Sequence, residues 1–445
     1  MSKALAERPP LPEGPYLICG LARSGQAAAR ALAVRGEQVI AVDAASPNGA
    51  AGLEAAGVEV HLDAAGTELV DRAGTIIKSP GVPQNAPVLE AARRAGIPII
   101  GELELGWRLA TGPVIAVTGT NGKTTVTEMV GHVLRSAGRD VAVVGNVGRP
   151  ISELAGSPEA ASTLVVEASS FQLEDAVEFA PDVAVLLNIT PDHIDRHGTF
   201  EAYREAKMRI FARQKAGSVA VVPHGTGFAD RGGQASEVTF GAGAADAAVS
   251  GGAVSWQGEP VIRPGEMQLP GSHNLVNAAA ALAACVAHGV QPDVAGRALV
   301  GFEGVPHRLE LVAEHGGIRW FNDSKATNVE STLTALRAVD PPVRLILGGQ
   351  GKSQDFSPLV GPVAERCSSV HLIGEDARRI GEVLSSGGLR PQMDGDLATA
   401  VAAIASIAAQ GDCVLLSPGC ASFDQFSDFE SRGAAFRSLV AEVVR

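Results

Sequence analysis

Val114-Ile-Ala-Val-Thr-Gly-Thr-Asn-Gly-Lys-Thr-Thr125 decides the fold: four apolar residues form a buried-type strand, which runs through a glycine turn into an amphipathic helix expected over 124–136. The glycines let backbone amides turn inward around phosphate oxygens. The helix N-terminus adds a positive dipole, Lys123 adds a point charge, and the Thr124 or Thr125 hydroxyl can hold Mg²⁺. Gly119, Thr120, Asn121, Gly122, Lys123, Thr124 and Thr125 are therefore the candidate triphosphate site. The pattern departs from the general Walker motif in one place, because Val117 stands where the first glycine would be. A plain Gly-rich turn with a solvated lysine would need neither the strand before it nor the helix after it.

Outward from this stretch the same alternation recurs. Strands are expected at 16–19, 38–42, 58–62 and 75–78 before it, with helices over 26–34 and 88–95. After it, strands at 141–144, 163–166 and 183–187 give way beyond Lys215 to short strands with Gly-rich turns, closed by a helix over 275–288. A third run places strands at 318–321, 343–347, 370–373 and 413–416 between helices. Three successive β-α patterns of this length predict an α/β chain of three domains with largely parallel sheets, divided as 1–101, 102–304 and 305–445. Ligands in such sheets sit at the carboxyl ends of the strands.

Composition narrows the function. The 445 residues carry a net charge of −13, with 46% hydrophobic, 19% charged and only 4% aromatic residues. This is a globular chain with a core of Ala, Val, Leu and Ile, and its acidity argues against wrapping nucleic acid or lying on an anionic membrane. Phosphate binding must come from local loops. Cys19, Cys285, Cys367, Cys413 and Cys420 show no CxxC spacing; four lie in or beside apolar runs, and Cys420 stands apart in a loop. Residues 1–15 lack a signal-peptide core and no later run reaches membrane-spanning length, so a soluble cytoplasmic protein without membrane insertion is expected.

Other polar groups gather after strands. Glu167 ends one and suits a Mg²⁺ ligand, although a helix cap is the commoner role for such an acid. Thr190-Pro-Asp-His-Ile-Asp-Arg-His197 packs two His, two Asp and one Arg into eight residues. Lys207 lies on the apolar stripe of a helix expected over 200–214, with Tyr203, Ile210 and Phe211, where a lysine ordinarily snorkels. Pro306-His-Arg308, Asn322-Asp-Ser-Lys-Ala-Thr-Asn328, Gly348-Gly-Gln-Gly-Lys-Ser353 and Ser417-Pro-Gly-Cys-Ala-Ser422 bring lysines, an arginine and hydroxyls to one expected sheet edge, which suits carboxylate recognition. Gly20-Leu-Ala-Arg-Ser-Gly25 with Asp43 is a partial dinucleotide fingerprint, lacking the middle glycine.

Taken in order, G-T-N-G-K-T-T, E-A-S-S-F-Q-L, N-I-T-P-D-H-I-D-R-H, Y-R-E-A-K, P-H-R, N-D-S-K-A-T-N, G-G-Q-G-K-S and S-P-G-C-A-S-F-D-Q-F resemble the Mur ligase family over essentially the whole chain. The S-S-F-Q-L, D-S-K-A-T-N and D-Q-F segments are closest to the branch that adds D-glutamate to UDP-N-acetylmuramoyl-L-alanine. The resemblance implies a Rossmann-like N-terminal domain for the UDP-sugar, a central P-loop ATPase domain and a Rossmann-like C-terminal domain for the amino acid. It implies ATP and two Mg²⁺ ions, with Thr124, Glu167, His193 and a CO2-derived carbamate on Lys207 as metal ligands. Asn274, Asn277, Arg308, Asp323 and Lys325 would join the phosphate loop around ATP. Thr327, Lys352, Ser422 and Phe429 would form the D-glutamate pocket, and Arg23, Ser24, Asp43, Ser79, Gly81 and Asn146 would hold the UDP-sugar. A monomer is expected.

Other classes fit less of the chain. A GTPase-like switch normally carries N-K-x-D, and no Asn here is followed by Lys. A dehydrogenase built on the first domain would leave the phosphate loop and third domain without a role. A folylpolyglutamate-type ligase shares the phosphate loop.

Overall fold

The computed structural model describes residues 8–146, 148–226, 232–269, 271–351 and 354–444. They form two compact units: residues up to Met267 together with Leu275–Phe302, and Gln268–Asn274 together with the residues from Glu303 onward. The first unit contains two sheets and the second contains one.

The first sheet is made of β1 (Tyr16–Cys19), β2 (Val39–Val42), β3 (Glu59–His61), β4 (Thr75–Lys78) and β5 (Ile99–Gly101), in the order β3-β2-β1-β4-β5 with every pair parallel. β1, β2 and β4 are buried along their whole length, as strands covered on both faces must be. The strand order reverses between β1 and β4. A crevice therefore opens beyond their carboxyl ends, where the Gly20 turn and the loop after Lys78 emerge.

The second sheet runs β6 (Val114–Thr118), β7 (Val141–Gly145), β8 (Thr163–Glu167), β9 (Val183–Leu186) and β10 (Val219–Pro223), then β11 (Ser236–Gly241), β12 (Ala247–Ser250), β13 (Ala253–Trp256) and β14 (Glu259–Ile262). Its order is β14-β13-β12-β11-β10-β9-β6-β8-β7, antiparallel only from β12 to β14. Because β6 lies between β8 and β9, its phosphate loop is flanked by the carboxyl ends of both. The register pairs Val117 with Glu167 and Thr118 with Leu186.

In the second unit, β15 (Glu310–His315), β16 (Ile318–Asn322), β17 (Val343–Gly348), β18 (Cys367–Ile373), β19 (Gln392–Gly395) and β20 (Cys413–Leu416) take the order β15-β16-β20-β17-β18-β19. The outer strands β15 and β19 are half-polar, which is why the apolar pattern did not predict them. β20 between β16 and β17 sets the loops after Asn322, Gly348 and Leu416 side by side. Alternate residues feed two cores: Leu345, Leu347 and Leu415 on one face, Ile346, Val414 and Leu416 on the other. Full burial of each such side chain stabilises by about 1.5–3 kcal/mol.

Cys420, set apart by its loop position, is fully buried in this core, and burial pushes its thiol up to about 12. The other four thiols are raised for the same reason, and all five cysteines are free. Among the described residues no helix is long and apolar enough to cross a membrane.

Within the first unit a buried ion pair joins the end of β4 to the turn after the short helix Ser170–Leu173. Lys78 at the end of β4 has no exposed surface, and its Nζ lies 2.6 Å from Asp175 Oδ2, while Gln84 Nε2 donates to Asp175 Oδ1 at 2.7 Å. Removing one partner leaves an uncompensated buried charge, at a cost of about 3–5 kcal/mol, whereas replacing both by apolar groups is often neutral. Asp175→Leu alone is expected to lower the apparent Tm by several degrees. Lys78→Met with Asp175→Leu is expected to recover most of that loss in thermal unfolding scans. A double variant no more stable than the single one would contradict this account.

Candidate active site

The phosphate loop is tied down by its neighbours. Thr120 N donates to Asn188 O, Asn121 N to Asn188 Oδ1, and Asn188 Nδ2 returns a bond to Asn121 O, all between 2.9 and 3.1 Å. Gly122 starts the helix Lys123–Ser136 in a left-handed conformation (φ 86°), and a Cβ there would lie 2.7 Å from Asn277 Oδ1. Glycine is thus needed twice over at this position, for its backbone and for the close approach of Asn277. Asn274 and Asn277 are both buried, one turn apart on the helix Ser272–Ala287.

Two lysines converge on one carbonyl. Lys123 Nζ donates to Gly119 O and Thr120 O at 2.8 Å each, and Lys207 Nζ donates to the same Gly119 O at 2.8 Å. The helix Phe200–Ala212 buries Tyr203, Ala206, Lys207, Ile210 and Phe211 on one face. The stripe position predicted for Lys207 holds, but the snorkelling role does not. At 1% exposure its head turns inward to the loop, with its ammonium 4.7 Å from the Tyr203 ring centre. Burial first, and the charge of Lys123 second, bring the Lys207 amine down to about 6.

Glu167 is buried at the tip of β8. Its Oε2 accepts from Thr124 Oγ1 at 2.7 Å and its Oε1 from Asn146 Nδ2 at 3.0 Å. Among the described residues no three His, Cys, Asp or Glu side chains converge into a cage. A hydroxyl and one carboxylate beside a phosphate loop nevertheless fit Mg²⁺, which keeps several waters and takes phosphate oxygens as ligands. His193 is exposed and left-handed (φ 52°), a conformation costing a non-glycine residue about 1–3 kcal/mol and concentrated at functional sites. Its ring lies 4.8 Å from that of Phe171, which also stacks on His197 at 5.3 Å.

Arg23, Ser24, Asp43, Ser79, Gly81 and Asn146 all line one cavity of about 660 Å³ at the switch point of the first sheet. Ser79 Oγ donates to Gly20 O at 2.7 Å, closing the Gly20 turn. Asp43, the acid of the partial fingerprint, accepts from Leu21 N at 2.6 Å and Ala45 N at 2.9 Å. Gln172 also lines this cavity and was not singled out from the sequence. Its signal was the Ser169–Gln172 spacing of a capping box, which forms.

In the second unit, Asp323 is buried and accepts from Ser417 Oγ at 2.8 Å and Leu309 N at 3.2 Å; burial raises its carboxyl to about 7 against the pull of Ser417, Arg308 and Lys325. Lys325 lies over the Phe429 ring at 5.7 Å, and Ser422 is buried. Thr327 is half-buried in the loop after β16, and Lys352 lies outside the described residues. Sequence reasoning missed Arg432, buried on the apolar face of the helix Phe429–Val443. Its guanidinium donates to Ser324 O at 2.8 Å, Ser324 Oγ at 3.0 Å and Cys420 O at 3.0 Å, fastening two of the site loops together. The polar interruption of an apolar stripe that marked Lys207 marks Arg432 too.

Three family models match consecutive stretches: the Mur ligase MurD-like N-terminal domain at 15–101, the Mur ligase middle domain at 117–285, and the Mur ligase glutamate ligase domain at 307–420. The UDP-N-acetylmuramoylalanine–D-glutamate ligase of Pelotomaculum thermopropionicum is 41% identical over 442 residues, covering 95% of this chain and 96% of the relative. That of Rubrobacter xylanophilus is 43% identical over 431 residues, covering 95% and 97%. Among solved structures, a UDP-N-acetylmuramate-alanine ligase from Thermotoga maritima matches with a TM-score of 0.60 at 19% identity, covering 97% of this chain and all of that one. The E. coli FolC structure with ADP matches with a TM-score of 0.57 at 21% identity, covering 76% and 92%. At these identities the two structures speak for the fold alone.

Lys207 supplies a test of the site's electrostatics. Its amine takes up a proton near pH 6 when folded and near its ordinary 10.5 when unfolded, so between those values the unfolded chain binds more protons and stability rises with pH. With CO2 removed, the Tm of the unmodified protein relative to Lys207→Met is expected to climb from pH 7 to pH 9. Parallel curves for the two proteins would mean that Lys207 is charged in the folded state.

Proposed function

The chain belongs to the Mur ligase family, and from that premise we infer that it uses ATP to join D-glutamate to UDP-N-acetylmuramoyl-L-alanine, releasing ADP and phosphate in peptidoglycan precursor synthesis. The observation that carries this reading is an identity of about 40% with D-glutamate ligases along 95% of the chain. ATP-dependent ligation is itself the chemistry for which a phosphate loop with a buried glutamate beside it is suited.

The division of labour follows the sequence regions. Residues 1–101 would take the UDP-sugar in the cavity lined by Arg23, Ser24, Asp43, Ser79, Gly81 and Asn146. Residues 102–304 would carry the triphosphate on Gly119–Thr125, with Asn274 and Asn277 toward the nucleoside. Residues 305–445 would supply Arg308, Asp323 and Lys325 to ATP, and Thr327, Lys352, Ser422 and Phe429 to D-glutamate. Use of ATP and five free thiols suit a cytoplasmic setting.

The chemistry brings anions together. A substrate carboxylate oxygen attacks the γ-phosphorus and ADP leaves; the D-glutamate amine then adds to the acyl phosphate carbonyl and loses a proton, giving a tetrahedral intermediate that expels phosphate. Lys123 and the helix N-terminus behind it offset the charge gathered at the phosphates. Two Mg²⁺ ions, when bound, would neutralise the oxygens that approach one another. Thr124 and Glu167 would hold one, with His193 and Lys207 completing the set. Lys207 fits carbamylation because its amine is the neutral, nucleophilic form at pH 7. Its attack on CO2 with loss of a proton would turn that neutral amine into a carboxylate-like anion.

Phosphate release from ATP is expected only when UDP-N-acetylmuramoyl-L-alanine and D-glutamate are both present, with the extended product seen by mass spectrometry. Release driven instead by L-glutamate, D-aspartate or meso-diaminopimelate would move the substrate, and no coupled release would remove the ligase reading. Lys207→Ala is expected to lose activity by two orders of magnitude or so, as a misplaced reacting group does. Formate or acetate should restore part of it, and failure of every small carboxylate to do so would count against the carbamate.

A further inference from the structure

Arg196 is used in an unusual way for a cation beside a phosphate site. It sits on the short helix Ile194–His197, directly after His193, and its Nη2 donates to Pro80 O and Val82 O at 2.9 Å each while Nη1 donates to Gly81 O at 3.2 Å. Three consecutive carbonyls of one loop thus end on one guanidinium. The guanidinium carbon lies over the Phe171 ring, 4.4 Å from its centre, and His193 and His197 pack against the same ring. Phe171 follows Glu167 by four residues, and Pro80, Gly81 and Val82 line the 660 Å³ cavity. Arg196 is therefore fixed by stacking to the phosphate side and by its N–H groups to the cavity wall.

The geometry points to Arg196 as a positioning residue, one that sets the first-domain substrate loop in register with the phosphate loop so that the cavity's occupant presents its carboxylate at the γ-phosphate. This rests on the ligase reading given above. The guanidinium reaches the three carbonyls from two nitrogens held apart in a planar fork, whereas an ammonium would have to serve all three from one nitrogen on a flexible stem. Apart from Arg196, the Ser79–Pro83 loop is held at its start by Ser79, whose N donates to Cys19 O and whose Oγ donates to Gly20 O, and beyond that by the turn bonds Val82 N to Ser79 O and Ala86 N to Pro83 O. Displacement of a reacting group by about 1 Å can cost roughly 100-fold in rate, so a loop set loosely is felt at the chemical step.

Arg196→Ala is expected to lower kcat/KM for UDP-N-acetylmuramoyl-L-alanine by roughly 10- to 100-fold, leaving KM for ATP within about twofold. Arg196→Lys should behave like Arg196→Ala, because a single ammonium nitrogen cannot take the place of the two separated nitrogens that donate to this loop. Added methylguanidine should restore part of the activity of Arg196→Ala and none of that of Arg196→Lys. Hydrogen exchange at the amides of Val82 and Ala86 should quicken in both variants, with amides of the second sheet unchanged. Wild-type kinetics in Arg196→Lys, an equal loss of ATP binding, or unchanged exchange at 82 and 86 would overturn the assignment. The exchange measurement needs no substrate, so it judges Arg196 even if the unmodified enzyme fails to release phosphate and the ligase reading falls.

Discussion

The Gly119 carbonyl accepts from Lys123 and Lys207 together, and the rest of the site is arranged around that shared acceptor. Two ammonium groups on one oxygen repel each other, and one of them has almost no access to water. The less solvated amine yields its proton. One lysine thereby remains the cation that phosphate needs, and the other becomes a neutral nucleophile a few ångströms away. A neutral amine at pH 7 is not a property of lysine in water; here it arises from the turn that β6 makes as it enters its helix.

That turn has its place because of strand order. β6 lies between β8 and β9, so their carboxyl ends deliver Glu167 on one side and Asn188 on the other. The same logic operates in the first sheet, where reversal of strand order opens the cavity, and in the third, where β20 brings three polar loops together. In each case the candidate site residues stand where parallel strands end, and the strands themselves are spent on the core.

Much of this was legible in the sequence. Long apolar runs followed by Gly-rich or polar turns marked the central strands of all three sheets and the residues at their tips. The phosphate loop and Glu167 could be named from local motifs, whereas the six cavity residues were named as a set only through the family resemblance. What escaped was of two kinds. The edge strands β15 and β19 are half-polar and carry no clean alternation. Arg196 and Arg432 act through backbone carbonyls far away in sequence, and no local pattern encodes a carbonyl's direction. Lys207 shows the limit from the other side: its place on the stripe was readable, but the inward turn of its head depends on Gly119, 88 residues earlier.

The burial of the cysteines has a practical consequence. A thiol held protonated at neutral pH is a poor nucleophile toward maleimides and disulfide reagents, and all five here are shifted that way. The unaltered protein is therefore already suited to spectroscopic labelling. A single cysteine introduced at an open position such as Val34, 79% exposed, would carry a fluorophore or spin label without first replacing the native ones.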